Sequence, residues 1–204
     1  LLDELGHLYR AFASGQDSTL SPLPIQYGDY ASWQRNWMHG DVLESQLEYW
    51  QEQLQGIPQV HSLPLDKPRP VQQTFEGQSL QWWINPEITT QLNQLAQDNQ
   101  ATLFMVLQSA FAVLLSRYSN EQDIVMGSPI AGRVHSDTEQ LIGLFLNNLV
   151  LRTQVDLETS FETLLHNSKQ MLLDAYSHQH IPFEMLVSEL QPERILSHSP
   201  LFQI

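Results

Sequence analysis

Amide and guanidinium side chains interrupt one of the most apolar stretches of the sequence, residues 141–155. Asn147 and Asn148 lie in its middle, and Arg152 lies near its end. A buried amide or guanidinium group is costly unless it has a hydrogen-bond partner. Two interpretations stay open: Arg152 pairs with a nearby carboxylate and the asparagines satisfy a β-bulge, or these groups line a cavity.

Ser128 and two histidines invite interpretation as catalytic or metal-binding groups. Ser128 lies between a glycine and a proline, so the G-x-S-x-G nucleophile elbow is absent, and a proline cannot supply the oxyanion-hole N–H. A serine hydrolase is therefore disfavoured. The spacing of His178, His180 and Glu184 could suit a metal, but no other feature supports one, and we prefer a hydrogen-bonded turn.

The composition restricts the class of partner. The 204 residues are 42% hydrophobic, enough for one sizeable core or two small ones. The 9 Lys and Arg against 23 Asp and Glu leave a net charge of −14, which would repel nucleic acid and anionic membrane surfaces. The longest apolar stretch, residues 103–115, is shorter than a membrane span. The chain contains no cysteine, which fits a reducing compartment, and we expect a cytoplasmic protein.

Periodic apolar residues predict mostly helices. We expect an opening helix, a helical region around Trp33 and Trp37, and further helices over about 41–54, 86–98, 102–115, 159–176 and 182–191. Asn85 and Thr102 are predicted N-caps, and capping boxes are predicted at Asp41 and at Thr159. The helix at 102–115 has almost no polar face, so we expect it to be buried against a sheet.

Short branched runs predict strands at 80–84, 123–127 and 141–155, the last with a local irregularity, and a further strand beginning at residue 200. Strands that alternate with helices, without Asn-Gly or Asp-Gly hairpin signals, indicate a layered α/β fold. Four prolines between residues 56 and 77 predict an extended connection. We place a boundary there, between residues 1–58 and 59–204.

Several separated segments resemble condensation domains of nonribosomal peptide synthetases, in the family's own order. Residues 27–34 reproduce its tyrosine-x-aspartate-tyrosine-alanine-x-tryptophan-glutamine run, and residues 142–152 resemble its isoleucine-glycine-x-phenylalanine-valine-asparagine-threonine strand ending in arginine. Residues 127–133, 178–184 and 194–202 are also of family type. His180 departs from the pattern, since the family usually has aspartate there, and Ile195, His198 and Ser199 depart in the closing segment.

The resemblance implies an α/β fold of two lobes, each like a chloramphenicol acetyltransferase subunit, with a tunnel between them. Residues 1–58 would be the tail of the N-terminal lobe and the interlobe helical connection, and residues 59–204 an incomplete C-terminal lobe. Upstream and downstream peptidyl carrier proteins, next to further synthetase domains, would insert 4′-phosphopantetheine arms from opposite faces. No cofactor would be bound directly. An amine on one arm would attack the acyl thioester on the other and form an amide.

The resemblance also assigns roles to residues. Asn147 would face the reacting thioester as a hydrogen-bond donor, with Ser128 and Arg133 lining or bracing the site. Six residues would hold the junction between the lobes: Asp29, Tyr30, Trp33, Arg152, His178 and Glu184. The family's catalytic His-His-x-x-x-Asp-Gly motif does not occur, because no two histidines are adjacent and no Asp-Gly is present. We therefore expect no catalytic residue and no condensation activity in this chain alone.

Two other functions remain open. A carrier-protein docking or scaffold module would bind carriers but form no amide, even with the upstream segment restored. An acyltransferase of the same fold could instead use a free coenzyme A thioester, but 9 Lys and Arg in an acidic chain weigh against a site for its nucleotide phosphates.

Overall fold

The computed structural model describes residues 1–193 and 195–204 and shows helices around a small sheet. Its elements are α1 (Leu2–Ala13), α2 (Tyr27–Trp37), α3 (Asp41–Gln53), α4 (Pro86–Asp98), α5 (Leu103–Ser119), β1 (Asp123–Ile130), a 3₁₀ turn (Ser136–Thr138), β2 (Asn147–Gln154), α6 (Phe161–Ser177) and α7 (Phe183–Leu190). Of the sequence segments singled out above, 194–202 lies partly outside the described residues, because Arg194 is not among them.

Strands β1 and β2 form an antiparallel pair in which Ser128 lies opposite Leu149 and Ile130 opposite Asn147. Because successive side chains alternate between faces, Ser128 and Asn147 belong to the same face of this sheet. Helix α5 packs on that face. Gln108 of α5 donates a hydrogen bond from Nε2 to Oγ1 of Thr153 on β2 at 2.8 Å, which fixes the helix against the strand.

The main core joins α3 to β2, α6 and α7. Trp50 and Leu54 of α3 lie in one cluster with Leu149 and Leu151 of β2, and with Leu165 of α6. Burial of such side chains contributes about 1.5–3 kcal/mol each. Since this core draws on residues from both sides of residue 58, the division of the chain there stays a prediction.

The predicted helix caps are confirmed in part. Asn85 Oδ1 accepts a backbone N–H at 2.8 Å and Thr102 Oγ1 accepts one at 3.2 Å, so both residues cap their helices as expected. The capping boxes predicted at Asp41 and Thr159 are wrong, because in α3 and α6 the N-cap is the residue next to the predicted one.

Two strand predictions fail and one is shortened. Residues 80–84 form no strand, and Trp82 and Trp83 are 84% and 88% exposed, because no described strand lies beside them to pair with their backbone. β2 begins only at residue 147, since the loop before it bonds to Arg133 and Tyr27 instead. Residues 200–204 are not a strand either, although the Ile204 carbonyl accepts the Gly127 N–H at 2.7 Å.

Helix α5 is not buried all round, contrary to the prediction from its apolar sequence. Met105, Val106 and Ala112 are buried, but an apolar stripe on the other side is exposed; it consists of Phe104, Leu107, Phe111 and Leu114. Their spacing of three and four residues places them on one face of the helix. Within residues 1–193 and 195–204, no single helix has the length and hydropathy of a bilayer span; α4 and α5 together do, with a bend of 103°.

Candidate functional site

A cleft of about 210 Å³ lies between α2, the loop before β2 and the start of α7. We call it the aromatic cleft; its lining includes Tyr27, Tyr30, Trp33, Trp37, Phe145, Asn147, His180 and Glu184. The four aromatic residues of α2 recur every three or four positions, so one face of the helix carries them all. The three most distinctive sequence segments, 27–34, 142–152 and 178–184, therefore meet at one cleft.

Aromatic contacts hold α2 against the loop before β2. The centre of the Tyr30 ring lies 4.8 Å from that of Phe145, and Trp33 stacks on Trp37 at 5.3 Å. Tyr27 donates its hydroxyl hydrogen bond to the Leu144 carbonyl at 2.9 Å. Asp29 acts on the helix itself, because its Oδ2 accepts the backbone N–H of the N-cap residue at 2.8 Å.

Two glycines permit this close packing. A Cβ on Gly143 would overlap the ring of Tyr27, and a Cβ on Gly132 would overlap the Phe145 carbonyl oxygen. Gly132 also has a φ of +61°, a conformation that favours glycine. Both residues belong to the segments that resemble the family pattern, and the structure gives a steric reason for each.

Arg133 braces the loop between β1 and β2. Its guanidinium donates from Nη1 to the Thr138 carbonyl and from Nη2 to the Leu141 carbonyl, the latter at 3.0 Å. The guanidinium carbon also lies 4.0 Å from the centre of the Phe145 ring, a cation–π contact. The side chain thus orders the loop that carries Phe145 into the cleft.

Asn147 lies at the edge of the aromatic cleft with its amide fully engaged. Its Nδ2 donates to the carbonyls of Gln179 and Ile181 at 3.0 and 2.8 Å. Its Oδ1 accepts the backbone N–H groups of Asn148 and Phe183, both at 2.9 Å. Of the two interpretations left open by the sequence, pairing with neighbours describes this side chain, but the predicted β-bulge is wrong, because residues 123–130 and 147–154 pair in an unbroken register. The amide instead joins β2 to the first residue of α7.

Arg152 is paired as well, and its partner is the carboxylate that the same interpretation of the sequence required. Its Nε and Nη2 donate to the two carboxylate oxygens of Asp123 at 3.0 and 2.8 Å, and its Nη1 donates to the carbonyls of Gln53 and Gln55 at 2.9 Å. The hydrogen bond to Asp123 raises the pKa of the guanidinium. Arg152 therefore joins the end of α3 to both strands.

His178 and His180 point into different surroundings. His178 stacks on Tyr49 with ring centres 4.0 Å apart, and its carbonyl accepts the Trp50 indole N–H at 2.9 Å, so it joins α6 to α3. His180 packs edge-on against Trp37 at 4.9 Å in the aromatic cleft. Burial, and then the nearby His135, lower the pKa of His180. Glu184 lies at the rim of the cleft.

Ser128 lies in a second cavity. We call this cavity the helix–strand groove; its volume is about 300 Å³, and it is lined by Phe104, Leu107, Gln108, Phe111, Met126, Gly127, Ser128, Leu151 and Ile204. Ser128 and Asn147 thus share a sheet face but border different cavities. Gln108 and His135 were not predicted as site residues, since a glutamine in an apolar helix and a histidine in a polar loop belong to no motif.

The family model of the condensation domain matches residues 1–204. The chain belongs to the condensation-domain family. It is 50% identical over its whole length to one of the proteins that make up the linear gramicidin synthase of Brevibacillus parabrevis, and 45% identical to malpinin synthetase of Mortierella alpina. It spans only 4% and 3% of the lengths of these two proteins.

Solved structures confirm the fold of this condensation domain. A four-domain nonribosomal peptide synthetase bound to AMP and glycine matches all of the chain with a TM-score of 0.85 and 29% identity, over 16% of its own length. The X-domain from teicoplanin biosynthesis matches 98% with a TM-score of 0.91 and 25% identity, over 46% of its own length. The predicted α/β class, with an incomplete domain like chloramphenicol acetyltransferase, is therefore correct.

Proposed function

We propose that this condensation domain forms an amide bond between two thioesters carried by 4′-phosphopantetheine arms of peptidyl carrier proteins. The upstream carrier would present an acyl or peptidyl group, and the downstream carrier an aminoacyl group whose amine attacks it. The convergence of three family-type segments at the aromatic cleft carries the proposal. Tyr27 bonds to the Leu144 carbonyl and Asn147 to the N–H of Phe183, so the segments form one packed unit.

Positioning is the main contribution that such a scaffold can make. Two tethered reactants held in the correct geometry recover roughly 7–11 kcal/mol of the barrier. The packed contacts of Asp29, Tyr30 and Trp33 on α2, and of Arg152 and His178 around α3, support a role in holding the junction between lobes. Glu184, at the rim of the same cleft, belongs to this proposed junction.

For the substrate-proximal residues we propose distinct roles. Ser128 is a half-buried residue that lines the helix–strand groove, and it is the candidate for direct contact with a substrate. Asn147 has both of its N–H groups donated to backbone carbonyls, so it acts by positioning residues 179–183. Arg133 acts by bracing the loop that carries Phe145.

In this proposal, the complete domain rather than residues 1–204 alone supplies the catalytic histidine. The sequence contains eight histidines and no adjacent pair, so residues 1–204 do not supply a His-His-x-x-x-Asp-Gly motif. A positioned general base is typically worth 10²–10⁴-fold. We expect residues 1–204 alone to form no amide product.

Reconstitution of the complete synthetase with both loaded carriers tests the proposal. Transfer of the acyl group to the downstream aminoacyl carrier, followed by intact-protein mass spectrometry, would support it. Carrier binding without any amide product would favour the scaffold function instead. Equal product from a free acyl coenzyme A would favour the coenzyme A-dependent acyltransferase.

A matched pair of variants tests the assignment of Ser128. Ser128→Ala in the complete synthetase should lower kcat/KM by about 3- to 10-fold, roughly the contribution of one hydrogen bond. Ser14→Ala, at the exposed end of α1, should leave it unchanged. Equal kcat/KM for the two variants would remove Ser128 from the substrate contacts.

A further inference from the structure

The aromatic cleft has one acidic side chain in its lining. Glu184, in the first turn of α7, is the only Asp, Glu, Lys or Arg among the described residues that line it. Glu184 is exposed, and within residues 1–193 and 195–204 its carboxylate forms no ion pair. The side chain is therefore accessible to a ligand that enters the cleft.

The same cleft presents a continuous row of aromatic rings. Tyr27, Tyr30, Trp33 and Trp37 follow one another along α2, and the distances between successive ring centres are 6.1, 5.8 and 5.3 Å. Two of these residues are open to solvent, since Tyr27 is 36% and Trp33 is 38% exposed. The faces of aromatic rings attract a cation that lies within about 6 Å of the ring centre. The rings and the carboxylate thus favour the same kind of ligand, a cation.

Among the described residues, no lysine or arginine lines the cleft. Arg133 lies 4.0 Å from the centre of the Phe145 ring, but two backbone carbonyls already accept hydrogen bonds from its guanidinium. His180 does line the cleft; burial, and then the nearby His135, lower its pKa, which favours the neutral imidazole at pH 7. The net charge of −14 also attracts a positive ligand. The described part of the chain therefore leaves room for a cation from outside.

We infer that the aromatic cleft binds the protonated amine of the aminoacyl substrate, with the ammonium group held between the Glu184 carboxylate and the rings of α2. This inference rests on the proposed function, in which the downstream carrier presents an aminoacyl group. An α-amino group has a pKa of about 7.7–8.0, so its charged and neutral forms are both present near pH 7. The cleft, of about 210 Å³, has room for this small group.

The cleft acts on binding and not on the transfer step. The bound ammonium releases its proton to solvent, and the neutral amine then attacks the acyl carbon. The amide bond forms as the C–S bond of the upstream thioester breaks and its thiol leaves, so no further reactant is required. The cleft therefore selects a carrier that presents an amine over one that presents a neutral hydroxyl group.

A matched pair of downstream carriers tests this selection. One bears glycine and the other glycolic acid, each joined to the arm by an unreactive amide, so that they differ only in an ammonium or a hydroxyl group. Calorimetric titration into the complete synthetase at pH 7 should give a dissociation constant about 5- to 30-fold lower for the glycine carrier. At pH 9 the amine is mostly neutral, and the two constants should agree within about twofold. No tyrosine, histidine or glutamate has its ordinary pKa between these pH values, so the amine is the group that titrates.

Two variants of α7 test the role of the carboxylate. Glu184→Gln keeps the size of the side chain but removes its charge, so the preference for the glycine carrier at pH 7 should fall to about threefold or less. Glu189→Gln makes the same change at another exposed position of α7 that does not line the cleft. It should keep the wild-type preference.

Equal dissociation constants for the two carriers in the wild type at pH 7 would overturn the inference, and this comparison decides it even if Glu184→Gln fails to fold. The same preference in Glu184→Gln as in Glu189→Gln would also overturn it. Amide formation from thioester-loaded carriers is measured with the same synthetase. Product without any preference for the ammonium would overturn the inference alone, whereas a preference without product would count against the proposed function.

Discussion

Asn147 Oδ1 accepts the backbone N–H of Phe183, the first residue of α7, at 2.9 Å. The N-cap of that helix is Pro182, and its side chain makes no capping bond. A side chain at the beginning of β2 thus satisfies one of the free N–H groups that every helix start presents. Hydrogen bonds of Asn147, and not apolar packing alone, thus connect segments 142–152 and 178–184.

Removal of this amide should reduce stability. Asn147→Ala leaves the Gln179 and Ile181 carbonyls and the Phe183 N–H without their partner, so the free energy of unfolding should fall by about 1–3 kcal/mol. Urea denaturation followed by circular dichroism measures the change.

The neighbouring asparagine provides the control for this variant. Asn148 donates only its backbone N–H to Asn147, so Asn148→Ala should change the unfolding free energy by less than about 0.5 kcal/mol. Wild-type stability of Asn147→Ala, together with lost activity in the complete synthetase, would instead favour the role of Asn147 as a donor to the thioester.

The hydrogen bonds of Arg152 require a guanidinium. Arg152→Lys keeps the charge but cannot reach both Asp123 oxygens and the carbonyls of Gln53 and Gln55 at once, so we expect a loss of about 1–3 kcal/mol. Arg117→Lys, at an exposed position of α5, should be neutral in the same denaturation experiment. Equal stability of the two variants would show that these hydrogen bonds contribute nothing to the free energy of unfolding.

The contact between Gly143 and Tyr27 should tolerate no methyl group. Gly143→Ala would place a Cβ inside the Tyr27 ring and should cost about 1–3 kcal/mol. Gly28→Ala, in α2 with open space around its Cα, should instead stabilise the protein by about 0.5–1 kcal/mol. Thermal unfolding of both variants checks the opposite signs; a neutral Gly143→Ala would contradict the close contact of Gly143 with the Tyr27 ring.

His180 should make the free energy of unfolding depend on pH at values below 6.5, the ordinary pKa of a histidine. Burial, and then His135, lower its pKa in the folded state, so the unfolded state binds the proton more readily. The free energy of unfolding should therefore fall as the pH decreases from about 6.5 towards the folded-state pKa, and then level off. Urea denaturation between pH 7 and pH 4 measures this slope.

The contribution of His180 is isolated by His180→Gln, because His61 also has a lowered pKa and adds to the wild-type slope. The variant should show a flatter dependence on pH than the wild type. An NMR titration in which His180 protonates at or above 6.5 would contradict the prediction.

Local signals in the sequence predicted the helices well. Pro86 and Pro182 mark helix starts correctly, and the caps at Asn85 and Thr102 are confirmed, because these preferences act within a few residues of the chain. The strand predicted at 80–84 failed for the opposite reason. A strand needs a partner, and a branched, aromatic run alone does not supply one.

The segments that form the candidate site could be predicted from the sequence, but the contacts between their side chains could not. The resemblance identified the segments around Tyr30, Asn147 and Glu184, and the structure brings them to one cleft. The hydrogen bonds that engage Asn147 depend on the fold of residues 179–183, which no spacing reveals. The burial of Gln108 could not be predicted from the sequence, because only the packing of α5 against β2 creates it.

The outward apolar stripe of α5 has a practical consequence for anyone who purifies these 204 residues. The stripe is partly exposed to water and consists of Phe104, Leu107, Phe111 and Leu114. Exposed apolar patches promote self-association. Light scattering should rise with concentration, and glutamate at Leu114, away from the helix–strand groove, offers a remedy that leaves the groove intact. Samples intended for NMR titration would then stay dispersed.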